Sequence, residues 1–432
     1  MRVEAWLPRA AAAQPRRAAV GELSYETLLG AARRGADELR EAGVEPGARV
    51  AIRIAPGATF AAALHACLLL GSVAVPVDPR LSEAEADPIV AGAVAHVDES
   101  QPQNWMSLGR SGLGGVHPPG EETHDLDAPA IVVHTSGTSA DPKPVELTYG
   151  NWLWSALGSA AALGVDIDER WLCCLPLAHV GGLSILMRSA IYATTAIVHE
   201  RFETGRVLEA LDEPEGPTLV SLVPTTLSRL LDAGLSHPPA LRWALLGGAA
   251  IPDSLLDRAA QAGVPVAPTY GMTESCSQVV TLGSPLFCTR VDVADDGELF
   301  VSGPTVAPAS GPRLATGDVG SVDASGRITV TGRKADTIIT GGENVAPQEV
   351  EDVLCSHPAV AEALVHGRAD RQWGEALVAR VVLRPGALIT GYDLSEFCAR
   401  RLAAFKVPKE VLFVTTLPRT PSGKLARRNL ES

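Results

Sequence analysis

Residues 24–77 read SYETLLGAARRGADELREAGVEPGARVAIRIAPGATFAAALHACLLLGSVAVPV, and their patterning decides the fold class. Leu28, Ala32, Ala36 and Leu39 recur at helical spacing behind Ser24 and Glu26 and ahead of Gly43, so 24–43 is expected to be a helix. Arg49-Val50-Ala51-Ile52 then opens a strand. Residues 58–70 form a second helix and 73–77 a second strand. The run Phe60–Val77 is long and apolar enough to raise the question of a membrane span. His65, the Gly71-Ser72 pair and Pro76 divide it instead into a buried helix and a strand. Strand, helix, strand in that order is the unit of a parallel sheet.

The alternation continues outward. A strand is expected at 130–134 and helices at 150–162, 225–233 and 253–262, with apolar strand-like runs WLCCLPL, TLVSLVP and WALLGG between them. Past about 283 the texture becomes short strands and turns, as in GELFVSG and GSVDASGRITVTGR. After the polar stretch Gly332–Asp336 the pattern restarts. A strand at 337–340, a Gly-Gly turn, a helix from Pro347 to Ser356, strands at 360–366 and 376–383, a helix at 392–403 and a strand at 411–414 make an α+β unit. The expected fold is α/β: a large layered N-terminal domain (1–332) with a small β-rich subdomain, a hinge (333–336) and a mobile C-terminal α+β domain (337–432).

The 432 residues carry 36 basic and 50 acidic side chains, a formal net charge of −14, with 46% hydrophobic residues. Such a chain buries a sizeable core and repels polyanions over its general surface, which argues against a general nucleic-acid binder. The charge is uneven: residues 401–432 hold seven basic groups and two acidic ones. Only five lysines (143, 334, 406, 409, 424) stand among 31 arginines, which directs attention to where a compact ammonium is kept. Seven scattered cysteines without a Cys-x-x-Cys pair argue against a disulfide scaffold or zinc knuckle. The arginine-bearing N-terminus has no uninterrupted apolar stretch, so no secretory signal is read there and a soluble cytoplasmic protein is expected.

Directly after AIVV stands His134-Thr135-Ser136-Gly137-Thr138-Ser139-Ala140-Asp141-Pro142-Lys143. Four hydroxyls, a glycine and a lysine, read here as a strand-to-helix loop, supply the donors a polyphosphate needs, although the Walker spacing is missing. A hydroxyl-rich turn capping the next helix would look the same. Tyr270-Gly271-Met272-Thr273-Glu274-Ser275 can set an aromatic against a nucleobase and a Thr-Glu pair near phosphate and Mg²⁺, or it can be an ordinary helix start. Thr316-Gly317-Asp318 offers a carboxylate for ribose hydroxyls, or an everyday turn.

Taken in order and spacing, TSGTSADPKPV, YGMTES, TGD, GRKADTIITGGENVAPQEVE and PRTPSGKLARR resemble the adenylate-forming superfamily of acyl-CoA synthetases, luciferases and peptide-synthetase adenylation domains. The matches span residues 130–428, and the first third fits more loosely through LSYETLL, GARVAI and LLLGSVAVPVDPRL. Within the superfamily, WLCCLPLAHVGGLSILMRSAIY and GMTESCSQVVT are most similar to the o-succinylbenzoate–CoA ligases of menaquinone biosynthesis.

The resemblance implies ATP, Mg²⁺ and CoA as partners of an acid that is adenylated and passed to a thiol, with no nucleic acid and no membrane span; a homo-oligomer stays open. It implies that Thr135, Ser136, Gly137, Thr138, Ser139 and Lys143 hold phosphates and that Tyr270 and Gly271 line the adenine slot. Thr273 would lie near the α-phosphate and Glu274 on Mg²⁺. Asp318 and Arg333 would serve the ribose. Lys424 matches the lysine that bridges carboxylate and α-phosphate, and Gly341 and Gly342 would admit the pantetheine arm. His179 matches the gate of the acid pocket, which Arg188, Gly247 and Ser277 complete. Arg188 sits in an apolar helix, where a charge needs an anion or a path to water. A second substrate carboxylate is one candidate partner and an internal salt bridge the other.

The chain departs from the family at Ala140 and Pro144, where glycines are usual, at Gly311–Ala315, which stands for the usual Gly-Trp segment behind a shortened stretch, and at Ala335 in the hinge, where a polar residue is common. None of these removes a catalytic group. The rival readings are another aryl- or fatty-acyl-CoA ligase or a carrier-loading adenylation enzyme of the same superfamily, and a non-catalytic nucleotide-binding protein on the same fold. A NAD-type oxidoreductase is disfavoured because no strand is followed by Gly-x-Gly-x-x-Gly.

Overall fold

A computed structural model describes residues 1–107, 122–135, 142–419 and 427. They form two compact units. The first comprises residues 1–246, 263–290 and 301–314, and the second comprises 247–262, 291–300 and 315 onward.

In the first unit, Arg49–Ile52, the helix Ala58–Leu70 and Val73–Pro76 are the expected strand–helix–strand, and the two strands pair in parallel from Arg49↔Val73 to Ile52↔Pro76. The helix is buried on nearly every side, as a helix without a polar face must be. Gly71 ends it in the left-handed region at φ 76°. It packs on the helix Tyr25–Glu41, whose first turn is capped by the Ser24 hydroxyl accepting from the Thr27 amide at 3.3 Å. The close approach depends on Gly35, where a Cβ would stand 2.6 Å from the Trp105 ring and 2.8 Å from the Ala66 methyl. Burial pushes the His65 imidazole down to about 4, so it lies in the core uncharged. Among the described residues no helix is long and apolar enough to cross a membrane.

These strands belong to a five-stranded sheet in the order 95–97, 49–52, 73–76, 129–135, 143–148. Here the structure departs from the sequence reading. Lys143–Thr148 is a strand, antiparallel to Pro129–Thr135, so the polar segment joins a hairpin and does not lead straight into a helix. Val145 and Leu147 alternate inward along it, and Pro144 is tolerated because the strand lies at the sheet edge. The helix Tyr149–Leu163 follows, capped reciprocally by Thr148 and Asn151.

A second sheet of nine strands runs 284–285, 277–281, 266–272, 243–246, 219–222, 170–173, 195–198, 18–20, 23–24. Its centre is parallel, and Leu219–Leu222 is buried throughout, as a strand covered on both faces requires. The seven cysteines are free thiols; five are buried, while Cys288 and Cys355 are partly covered.

A four-stranded sheet (290–293, 298–302, 314–322, 328–333) falls mostly in the second unit, which also holds a five-stranded one. The latter centres on the hairpin Val360–Asp370/Gly374–Leu383, with Ile338–Thr340 and Glu343–Val345 on one side and Glu410–Phe413 parallel to 374–383. Helices Pro347–Cys355 and Gly391–Ala399 pack with this sheet around Val345, Leu354, Val365, Leu377 and Leu394. The hairpin strands are longer than expected, and the helix expected at 392–403 ends at Ala399. The amides of Arg401 and Leu402 turn back on the Cys398 carbonyl, and a short 3₁₀ segment carries Lys406 onto Glu349 at 2.6 Å.

One carboxylate in this unit gives a pH dependence. Burial, with the nearby charges of Asp253 and Glu351, holds the Asp352 carboxyl up to about 7. Because this folded-state value lies above the unfolded one, the protonated form favours the fold. That contribution is complete below the ordinary carboxylate range and is lost as pH rises through about 7. Asp352→Asn is therefore expected to flatten the fall in stability between pH 5 and pH 8, and to be the more stable protein at pH 8 by about 1 kcal/mol after allowance for partial exposure. Urea midpoints of both proteins across that range measure it, and parallel curves would exclude the role.

Candidate active site

The strand Val266–Met272 carries Tyr270 and Gly271 to its end, where a 3₁₀ turn, Thr273–Ser275, reverses the chain into Ser277–Thr281. The two strands pair antiparallel, Tyr270 opposite Val280 and Gly271 opposite Gln278, with an irregularity between Tyr270 and Gly271. The backbones approach so closely there that a Cβ on Gly271 would lie 1.6 Å from the Ser277 carbonyl oxygen. Cys276 and Ser277 are both left-handed, at φ 53° and 89°, a strained conformation for residues with side chains. The turn is held by the Cys276 amide on the Thr273 carbonyl at 3.0 Å, by the Ser275 hydroxyl on Met272 and by the Ala307 amide on the Glu274 carbonyl at 2.8 Å.

Against this turn packs the strand Lys143–Thr148. Thr135 and Lys143 face each other across the hairpin mouth, the Thr135 hydroxyl donating to the Lys143 carbonyl at 3.4 Å. The structure thus brings Thr135 and Lys143 to the same edge as Thr273 and Glu274. Ser136, Gly137, Thr138 and Ser139 lie outside the described residues. Among the described residues no group of three or more metal-ligating side chains exists. Glu274 as a lone carboxylate suits Mg²⁺ carried in by phosphates, which supply most of its ligands, rather than a dedicated cage.

His179 stands at the N-cap of the helix Val180–Tyr192, its carbonyl accepting from Leu183 at 3.0 Å and its ring within electrostatic reach of Asp78. Two turns on, Arg188 is 2% exposed. Its guanidinium lies over the Trp171 ring, 5.4 Å from the centroid, and Nη2 donates to the Ser155 hydroxyl at 3.3 Å. Among the described residues no carboxylate forms an ion pair with it, and Nε has no partner. Burial lowers its pKa, with Tyr192 and Cys276 acting the other way. Burial also raises those two groups, Tyr192 to about 12, so neither supplies a charge at neutral pH. The internal salt bridge weighed from sequence is absent among the described residues.

Gly247 is buried immediately after the strand Trp243–Leu246. In the second unit, Asp318 and Arg333 are directly opposed on neighbouring strands, Nε to Oδ1 at 2.7 Å. Asp318 is 5% exposed, whereas the arginine side chain is about half exposed. Thr316 shapes that turn, its hydroxyl donating to the Leu299 carbonyl at 2.7 Å and accepting from the Asp318 amide at 3.0 Å. Lys334 bridges Asp296 and Glu298, both at 2.7 Å, which raises its pKa and commits it to a structural role. Gly341 and Gly342 form a hairpin tip at φ 60° and 85°, with the Gly341 amide on the Trp373 carbonyl at 2.8 Å. Lys424 lies outside the described residues. Arg427, three positions on, pairs with Glu351 at 2.6 Å and Asp336 at 3.5 Å.

Sequence reasoning did not single out Ser155. A serine in an alanine-rich helix carries no signal of its own, and its partners lie 33 and 121 positions away.

The geometry has counterparts among known proteins. The chain matches the AMP-binding enzyme family over residues 7–97 and 89–309, and the AMP-binding enzyme C-terminal domain over 349–424. It is 35% identical to the 2-succinylbenzoate–CoA ligase of Bacillus subtilis (strain 168), over 99% of this chain and 97% of that protein. The o-succinylbenzoate coenzyme A synthetase (MenE) of Bacillus subtilis, solved with its acyl-adenylate intermediate OSB-AMP, superposes with a TM-score of 0.88 at 34% identity, covering 100% of this chain and 99% of that one. The same enzyme solved with ATP and magnesium ion gives 0.87 at 34% identity and covers 100% of both chains. Matched by these family models over most of its length, and by a relative over nearly all of it, the chain belongs to the AMP-binding enzyme family.

Proposed function

We propose that this protein is an ATP-dependent acid–thiol ligase that joins o-succinylbenzoate to CoA through an acyl-adenylate, releasing AMP and pyrophosphate; the names of its relatives support the acid and CoA, and the solved OSB-AMP complex of one of them supports the adenylate. The observation that carries the choice of acid is Arg188. A buried guanidinium with no carboxylate partner among the described residues is costly unless a ligand supplies the anion. o-Succinylbenzoate has two carboxylates: one is activated, and the other is left to be recognised.

The first half-reaction brings an anion to a polyanion, so positive charge and hydrogen-bond donors must offset the repulsion. In this reading Thr135–Ser139 and Lys143 hold the β- and γ-phosphates, Tyr270 and Gly271 flank the adenine, and Thr273 donates at the α-phosphate. Glu274 would hold magnesium brought in with the phosphates, which would supply charge neutralisation there. Asp318 takes the ribose hydroxyls, with Arg333 fixing its carboxylate. His179 closes the acid pocket, which Gly247 and Ser277 help to line. Lys424 bridges the attacking carboxylate and the α-phosphate. Residues 1–332 serve as the adenylating domain, and 337–432 turn about a hinge at 333–336 to bring Gly341 and Gly342 to the thiol. Use of ATP and CoA puts the work in the cytoplasm.

Pyrophosphate release with o-succinylbenzoate, benzoate, coumarate, octanoate and amino acids, with and without CoA, tests the reading. Preference for o-succinylbenzoate with CoA-dependent thioester formation is expected; preference for another acid would keep the chemistry and replace the substrate. Lys424→Ala is expected to cut pyrophosphate release by about a hundredfold, about 2.7 kcal/mol in the barrier. It should leave thioester formation from supplied acyl-adenylate nearly unchanged. Equal loss of both half-reactions would remove Lys424 from the role.

A further inference from the structure

The Ser155 hydroxyl occupies a position that no motif marks. It lies on the helix Tyr149–Leu163 and is 1% exposed. Its proton is given to the Cys276 carbonyl at 2.6 Å, and its oxygen accepts from Arg188 Nη2 at 3.3 Å. One small group therefore joins the acid-recognising cation to the left-handed pair Cys276–Ser277, which closes the turn carrying Thr273 and Glu274. Two features make this joint more than packing. The left-handed pair is strained, of order 1–3 kcal/mol for each such residue, and persists only where its surroundings hold it. The guanidinium, with the Trp171 ring on its face, has Ser155 as its one side-chain acceptor among the described residues.

We infer that Ser155 is a positioning residue and a determinant of acid specificity: it holds the Arg188 guanidinium turned toward the ligand's second carboxylate and keeps the Cys276 carbonyl from capturing that cation. A hydroxyl can do both because it donates in one direction and accepts in another. A methyl in its place frees the Cys276 carbonyl to accept directly from Arg188. The guanidinium is then spent on the protein's own backbone, and because the Cys276 carbonyl keeps a donor the turn stays held. The inference rests on the proposed reading of Arg188.

The test uses the full-length enzyme and two acids, o-succinylbenzoate and benzoylpropionate, which is the same molecule without the aromatic carboxylate. Wild type is expected to favour o-succinylbenzoate. Ser155→Ala is expected to raise KM for o-succinylbenzoate about tenfold while leaving KM for benzoylpropionate and for ATP within about twofold. Ser155→Cys, of nearly equal volume and with a weak donor, should behave like alanine and provides the same comparison if the alanine variant folds poorly. Ser155→Thr, which keeps the hydroxyl, should restore most of the preference. In an Arg188→Met background, Ser155→Cys should no longer alter the o-succinylbenzoate KM. An equal rise for both acids, or no rise for either, would show that Ser155 only packs the core and would overturn the inference. Wild type that does not distinguish the two acids would instead overturn the reading of Arg188, and this proposal with it.

Discussion

Gly271→Ala is expected to abolish adenylate formation, with a loss of a thousandfold or more, about 4 kcal/mol or beyond in the barrier. The cause is steric and lies wholly in backbone. A Cβ there would meet the Ser277 oxygen at 1.6 Å, its carbon at 2.6 Å and the Gln278 Cα at 2.9 Å, with no flexible side chain to move aside. Relief requires the strands 266–272 and 277–281 to part where their register is already irregular. Parting them pulls on the Cys276–Ser277 pair and displaces Thr273 and Glu274, and misplacement of reacting groups by about 1 Å is enough to cost a hundredfold. Gly205→Ala is the control. That glycine is exposed on the helix Thr204–Asp212, and nothing lies within 4 Å of the place its new methyl would take. The change should be neutral or stabilising by up to about 1 kcal/mol. Substrate-dependent pyrophosphate release and circular dichroism of both variants decide the matter. A Gly271→Ala enzyme with near-normal release would mean that the strands separate freely, against the packing described.

Arg188→Met is expected to separate stability from function. Removing a buried cation that has no carboxylate partner among the described residues, and filling its volume with an apolar chain, should leave the protein as stable as wild type or more so, by about 1–4 kcal/mol where such exchanges have a net gain. The same change should raise KM for o-succinylbenzoate about a hundredfold, about 2.7 kcal/mol, and leave KM for ATP unchanged. Thermal midpoints and steady-state kinetics on the same preparation give both readings. A structural arginine would show the reverse: lower stability, with the acid KM undisturbed.

Much of this architecture was legible in the chain because its elements announce themselves locally. The helices at 58–70 and 253–262 and the Gly-Gly tip follow from periodicity and caps, and the structure finds them within a residue or two; the C-terminal α+β pattern is found in the expected order, with longer hairpin strands and a shorter last helix. The hairpin 129–148 was not legible, because Pro144 next to a polar run reads as loop, and its status as a tolerated edge residue depends on which strand lies beside it. The early end of the helix at Ala399 is marked by the Arg401 and Leu402 amides turning back on the Cys398 carbonyl, a local choice that no residue type there announces. The site divides in the same manner. Motif residues such as Thr273, Glu274 and Asp318 can be picked out by type and spacing. That Arg333 opposes Asp318 is a matter of strand register, and that Arg188 has a hydroxyl for company rather than a carboxylate is a matter of tertiary packing.

The free cysteines have a practical consequence. Burial pushes the thiols of Cys67, Cys173 and Cys355 up to about 12 and that of Cys398 to about 11, with Cys174, Cys276 and Cys288 raised as well. At neutral pH these groups are protonated and poorly reactive toward maleimides. A cysteine introduced at Leu388, which is 97% exposed, and another at Ile167, 60% exposed, would therefore take up fluorophores while the native sulfurs stay dark. Single-molecule energy transfer between them would test whether their separation changes during turnover, in a protein whose native cysteines need not first be removed.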